Sequence, residues 1–275
     1  MLIGYKQILE IGDRKNFAIG AFNCYNMETV MGVLRAAEEL HSPVIMQGYT
    51  RMFTNDEAYF LAPVILAAAK KASVPVCFNL DHGASLLEVT RAIRYGATGI
   101  MIDGSNYEYD ENVRITKEVT GVCSYAGIGV EGELGHVGKT SDASMGIYTD
   151  PKEAKRFVEE THVDGLAVLV GTAHGRYKIK PNLDIPRIRE IRKTTGIPLV
   201  LHGGSGVPDD QIQEAIQAGV RKVNFATDIC YAFLDSIFQT SRDIVAIDAF
   251  MQDPISKVTD YVKDKIELLG GKNKA

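Results

Sequence analysis

Three histidines, His82, His174 and His202, each follow a short apolar run: VCFNLD, GLAVLVGTA and IPLVL. Singly, each reads as an ordinary hydrogen-bonded residue at the end of a strand. Together they read differently, because three neutral imidazoles with an open fourth position are the ligand set of a catalytic zinc ion. No two of them are close in sequence, so they can meet only if their three strands share one axis. Beside His82 stands Asp81, an acid that is costly to bury without a partner. His41 and His162 fall near helix ends and His136 in the loop after the fifth strand, so none of these three is assigned a metal role.

The elements that must deliver these groups alternate along the chain. Eight β-like runs begin at FAIGAFN (17–23) and PVIMQ (43–47), continue through VPVCFNLD (74–81), TGIMID (98–103), GIGVEGELG (127–135) and GLAVLVGTAHG (165–175), and end with IPLVLHGGSG (197–206) and VRKVNFATD (220–228). Amphipathic helical stretches separate them. Helix starts are predicted near Asn26, at Thr54 with Glu57 in capping-box spacing, at Ser85 with Glu88 likewise, and at Pro151 in a first turn. Pro63 is expected to interrupt the second helix, and Gly96 to stop the third. Strands apolar on both faces and joined through helices pair in parallel with right-handed crossovers, and eight units close a barrel. The expectation is a single-domain (β/α)8 TIM barrel over residues 1–275. An open doubly wound sheet would need a glycine-rich turn after the first strand, where Asn23-Cys24-Tyr25-Asn26 stands instead.

Size and charge fit this reading and exclude others. A chain of 275 residues lies within the range of one barrel domain, with 45% apolar and 24% charged residues. Thirty basic against thirty-five acidic residues give a formal charge of −5, without the basic patch that a nucleic-acid partner requires. Apolar runs are too short for a membrane span, and MLIGYKQILEIGDRKN lacks the order of a signal peptide. A cytoplasmic protein is expected. Cys24, Cys77, Cys123 and Cys230 are far apart with no Cys-x-x-Cys, which suggests buried free thiols.

In a barrel the C-terminal strand ends share one face, where chemistry is placed. Those ends carry Asn23, Asp81 with His82, Asp103, Glu131 with Glu133, His174, His202 with Ser205, and Asn224 with Thr227, a polar group in seven of the eight units. GGSG (203–206) and NFATD (224–228) follow the seventh and eighth strands, the usual position for a phosphate held by backbone N–H groups and helix starts. A phosphate ester is therefore the expected substrate.

With these residues in place, the sequence resembles the class II, metal-dependent ketose-bisphosphate aldolases, especially the tagatose-bisphosphate branch. AFN (21–23), LDHG (80–83), MIDGS (101–105), VEGELG (130–135), GTAHG (171–175), LHGGSG (201–206) and VNFAT (223–227) carry the resemblance over nearly the whole chain. It implies that His82, His174 and His202 bind Zn2+ and that Asp81 moves the proton of the C4 hydroxyl. It further implies that Gly175, Gly203, Gly204, Ser205, Asn224, Phe225, Ala226 and Thr227 hold the dihydroxyacetone phosphate half, with Asn23 near it. Residues matching Asp103 and Glu133 help to hold a second metal position in the fructose-bisphosphate relatives. A monovalent cation, Na+ or K+, is implied beside Gly175 and Gly203 on backbone carbonyls, and so is a homodimer or homotetramer.

The implied chemistry is coherent. Breaking C3–C4 leaves a carbanion that a divalent ion on O2 and O3 can stabilise as a Lewis acid, while the C4 hydroxyl loses its proton to a carboxylate. One departure stands out: where the family has Gly-Gly-x-Glu-Asp, this chain has GHVGKTSDASMG. Ser141 stands where the glutamate is expected, so either Asp142, the nearest carboxylate, takes the proton from dihydroxyacetone phosphate or the loop is reshaped for another aldehyde. Arg51, in MQGYTRM, reads as either a contact for a distal phosphate or carboxylate or an exposed helix-flanking arginine. Two rivals fit less well. A Schiff-base aldolase needs a desolvated lysine inside the barrel, whereas the sixth strand ends on Thr172-Ala173-His174. A silent sugar-phosphate sensor would not need the ligands and Asp81 intact.

Overall fold

The computed structural model describes residues 1–137, 148–175, 177 and 180–275. Eight strands, β1 (Ile19–Asn23), β2 (Val44–Tyr49), β3 (Val76–Gly83), β4 (Gly99–Ile102), β5 (Gly129–Leu134), β6 (Gly165–Val168), β7 (Leu199–Leu201) and β8 (Val220–Phe225), form a closed barrel in sequence order. Every neighbouring pair is parallel, and β8 closes on β1 through Ile19–Lys222 and Phe22–Phe225. The (β/α)8 expectation is met.

Twelve helices surround it among the described residues: α1 (Tyr5–Lys15), α2 (Met27–Glu39), α3 (Thr50–Thr54), α4 (Glu57–Lys71), α5 (Leu86–Arg94), α6 (Tyr109–Ala126), α7 (Pro151–Thr161), α8 (Ile185–Thr195), α9 (Asp209–Ala218), α10 (Thr227–Gln239), α11 (Ile247–Phe250) and α12 (Gln252–Leu268). Strand residues are buried on both faces because the core has two parts. The larger lies between strands and helices and includes Phe22, Phe78, Ile100, Phe157 and Val223. The smaller lies at the barrel floor, where Tyr5, Ile8 and Leu9 of α1 meet Ile19, Ala21, Ile45 and Cys77 from the strands.

Helix α1 belongs to no β-then-α unit, and the sequence reading did not place it. Its signal is present in Tyr5, Ile8, Leu9 and Gly12, spaced on one helical face and all buried. Three strands make room for it by starting with glycine. A Cβ would come within 2.9 Å of Tyr5 at Gly99, 2.9 Å of the Lys6 amide at Gly129 and 2.8 Å of the Tyr5 hydroxyl at Gly165.

Two local expectations are corrected. Thr54 does not cap a helix: it ends α3, and its hydroxyl bonds Glu88 at 3.1 Å. Glu88 also receives the hydroxyl of Ser85, the true N-cap of α5, so one buried carboxylate ties α3 to α5. Pro63 does not break its helix either, since α4 runs through it. It lies on the exposed side, where water can replace the lost backbone bond.

Candidate active site

At the C-terminal face, Asn23, Asp81, His82, Asp103, His174, Gly175, Gly203, Ser205, Asn224, Ala226 and Thr227 line one cavity of about 540 Å³, a volume suited to a small phosphorylated ligand. His82, His174 and His202 each offer a ligand atom, all within 4.8 Å of one another, and so do His82, Asp103 and Glu133. The ring centroids of His82 and His202 are 4.7 Å apart, those of His82 and His174 5.1 Å. Only His82 lies within a strand. His202 follows β7 directly, and β6 stops at Val168, so His174 is delivered by a loop rather than by the longer strand expected. Tyr177 stitches that loop to the next one, accepting from the Ala173 amide at 2.8 Å and donating to the Gly203 carbonyl at 2.9 Å.

Neighbouring residues of a strand point to opposite faces, yet Asp81 and His82 both reach the cavity. The register between β3 and β4 shifts between Leu80 and Gly83, and His82 takes φ 52, a left-handed conformation rare outside glycine. Strain of this kind costs on the order of 1–3 kcal/mol and collects at functional sites.

The hydrogen bonds leave specific lone pairs free. His82 Nδ1 bonds Asp103 at 2.8 Å, so Nε2 is its open nitrogen. His202 Nε2 bonds Glu131 at 2.9 Å, and its Nδ1 has no partner. That Nδ1 lies 3.4 Å from Glu133 Oε2, which is also buried and unpartnered. Two acceptors facing each other need a proton or a metal ion between them, and ligands about 2.0–2.1 Å from tetrahedral zinc sit about 3.3 Å apart. The residues present therefore fit a divalent ion.

Electrostatics follow from this crowding. Burial would lower His82, but Asp81, Asp103 and Glu133 hold its pKa up at about 10. Burial and the charge of Asp103 push Glu133 up to about 8. Burial, with His82 and His202 nearby, pulls His174 down to about 3, and burial likewise lowers His202. Asp103 falls well below the usual carboxylate range: burial opposes this, but bonds to His82 and Ser105 prevail.

Asp81 accepts amide hydrogen bonds from Asn23 at 2.8 Å and Asn224 at 3.2 Å, and Asn23 is held in turn by Gln47 at 3.0 Å. Both carboxylate oxygens are thus fixed as acceptors. Gly204 and Phe225 stand apart from the cavity lining: the Gly204 amide bonds the Asn224 carbonyl at 3.2 Å, and the Phe225 ring stacks on Phe22 in the outer core. Asp142 lies outside the described residues. Arg51, expected as a contact or as an exposed flank, is exposed on α3 and also lines the cavity, with its guanidinium 5.8 Å from the centre of the Tyr49 ring. Sequence reasoning gave no role to Glu131, Lys222, Tyr5 or Tyr177. Glu131 and Lys222 did carry a signal, as charged residues inside runs that the fold must bury. Lys222 is the barrel-interior lysine that a Schiff-base route would require, but its amine bonds Glu131 at 2.7 Å and it is absent from the cavity lining.

A closed parallel barrel whose strand ends gather three imidazoles and a carboxylate cluster defines a barrel enzyme with a candidate metal centre. The chain belongs to the class II fructose-bisphosphate aldolase family, whose model matches residues 3–274, and is thus an enzyme of aldol chemistry. Similar solved structures include the YdjI aldolase from Escherichia coli K12, at 34% identity over 100% of both chains with a TM-score of 0.91. A putative fructose-1,6-bisphosphate aldolase from Coccidioides immitis is 26% identical over 98% of this chain and 97% of that one, with a TM-score of 0.90. Fructose-bisphosphate aldolase from Campylobacter jejuni shares the fold at 22% identity, covering 100% of this chain and 97% of its own, with a TM-score of 0.86.

Proposed function

We propose that the protein catalyses zinc-dependent, reversible aldol cleavage of a ketose 1-phosphate or 1,6-bisphosphate of the fructose or tagatose type, giving dihydroxyacetone phosphate and an aldehyde. The observation that carries this is the meeting of three imidazole ligand atoms within 4.8 Å, with Asp81 beside one of them on the same cavity. His82 through Nε2, His174, and His202 through Nδ1 would hold Zn2+, with Asp103 and Glu133 offering a second position. Zinc, when bound, supplies a Lewis acid that draws off the electron pair released as C3–C4 breaks.

The chain's own residues do the rest. Asp81, aimed by Asn23 and Asn224, accepts the C4 hydroxyl proton. Gly175, Gly203, Ser205, Ala226 and Thr227 surround the 1-phosphate, where α10 begins without a cap from the Ala226 side chain and its Asp228 N–H reaches Ser205 Oγ at 3.4 Å. Gly204 and Phe225 shape that loop from behind. Asp142 is our candidate for proton exchange at C3 of dihydroxyacetone phosphate, and the backbone near Gly175 and Gly203 for a monovalent cation.

Arg51 favours a substrate with a second anion, phosphate or carboxylate, at its far end. It is on the cavity wall, and its guanidinium has no salt bridge among the described residues. A cytoplasmic location is supported by four unpaired cysteines, three of them buried. A homodimer or homotetramer is supported by exposed Leu234, Phe238, Val245 and Ile247 on and around α10 and α11.

The deciding experiment is a retro-aldol screen of ketose 1-phosphates, 1,6-bisphosphates and phosphorylated sugar acids, with and without chelator, reading dihydroxyacetone phosphate. Release that stops with chelator and returns with zinc is expected, and Arg51→Met should raise KM only for substrates with a distal anion. Full turnover in metal-stripped protein overturns the reading.

A further inference from the structure

Beneath the candidate metal centre the barrel encloses a polar group that the chemistry above does not use. Tyr5 from α1, Glu131 from β5 and Lys222 from β8 are all fully buried. Lys222 Nζ donates to Glu131 Oε2 at 2.7 Å, and the Tyr5 hydroxyl donates to the same oxygen. The other oxygen, Oε1, lies 2.9 Å from His202 Nε2. A fully desolvated ion pair is a poor source of stability, since apolar residues of similar volume do as well or better. Its position suggests another use.

We propose that Lys222 and Tyr5 are positioning residues for the metal centre. By occupying Oε2 of Glu131 they aim Oε1 at Nε2 of His202, which places the imidazole proton on Nε2 and leaves Nδ1 as a bare lone pair. The unpartnered state of that buried Nδ1 agrees with this. Glu131 cannot swing away, because its oxygens are held by groups from α1, from β8 and from the residue after β7. Nor can the His202 ring flip without losing its acceptor. Helix α1 therefore reaches the metal ligands from the opposite end of the barrel, through one phenol and one carboxylate. Outer partners of this kind fix ligand tautomer and orientation in metal sites generally.

This inference rests on the zinc reading, and the wild-type protein separates the two. Full-length enzyme is titrated with Zn2+, and with Co2+ as a coloured probe, against a chromophoric chelator. If the wild type takes up neither ion, the metal reading itself fails. If it does, Lys222→Met is expected to weaken metal affinity by about 10- to 100-fold and Tyr5→Phe by less, the usual range for outer partners of ligands. Both should shift the visible Co2+ bands at saturating metal, and kcat should fall with KM unchanged. In Glu131→Gln/Lys222→Met, a neutral amide still accepts from Nε2 and no buried charge is left unpaired, so affinity should recover most of what Lys222→Met loses. Wild-type affinity and wild-type Co2+ bands in the folded single variants overturn the inference. Should Lys222→Met fail to fold, Tyr5→Phe, which removes one hydroxyl, decides it on the same two readouts.

Discussion

Asp81 and His82 show how one strand end can present two neighbouring side chains to one cavity. The amides of Asn23 and Asn224 bind Asp81, Asp103 binds His82, and a left-handed residue lets both side chains face inward. Asp81→Asn keeps the shape and removes the proposed proton acceptor. We expect kcat to fall by about 10²- to 10⁴-fold, the usual worth of a positioned acid or base, with zinc content by elemental analysis unchanged. A pH effect follows from the raised groups. In the metal-free fold His82 holds its proton up to about pH 10 and Glu133 up to about pH 8. Both folded-state values lie above the ordinary ones of 6.5 and 4.5. Their contribution to metal-free stability is therefore full below those ordinary values and is lost as pH rises through about 8 and 10. Ligands must be deprotonated, so metal affinity rises over the same range. The difference in melting temperature between zinc-loaded and stripped protein should widen from about pH 6 to about pH 9. A constant or narrowing difference would contradict imidazole and carboxylate ligation.

Elements decide how loop residues reach the site. β6 and β7 are only 4 and 3 residues long, and the loops after them carry His174, Gly175 and Gly203. At Gly203, φ is 64 and a Cβ would meet the Ala173 carbonyl at 2.3 Å. Gly196 shares the left-handed backbone, with φ 74, but faces open space. Gly196→Ala should thus cost only the backbone penalty, about 1–2 kcal/mol, with KM unchanged. Gly203→Ala should cost more and raise KM for the proposed ketose phosphate, because it pushes the loop that carries the proposed phosphate site. Denaturant melts and steady-state kinetics on both variants test this, and equal effects would mean that the loop contact has no role in binding.

At the scale of the whole molecule, barrel closure brings together residues from every part of the chain, while α10 and α11 leave apolar surface exposed. Phe238 is 82% exposed and Val245 87%, unusual for large apolar side chains so near in sequence. If a second copy covers them, Phe238→Glu/Val245→Glu should shift the mass measured by light scattering toward the monomer. An unchanged mass would place the interface elsewhere.

Much of this architecture was legible in the sequence, because apolar runs of strand length separated by amphipathic helices leave few foldings that bury both strand faces. The types of the site residues were legible too, since polar groups ending apolar strands stand out against their surroundings. What only tertiary structure decided was which atoms are free. His202 and Glu131 are 71 residues apart, and no local pattern says that Lys222 and a tyrosine from α1 would take one carboxylate oxygen and leave the other for His202. The turn at His82 was equally hidden: it coincides with a register shift against β4, and the residues of β3 alone do not report that pairing. Local periodicity reports burial, whereas the direction of a lone pair depends on contacts that form only when the barrel closes.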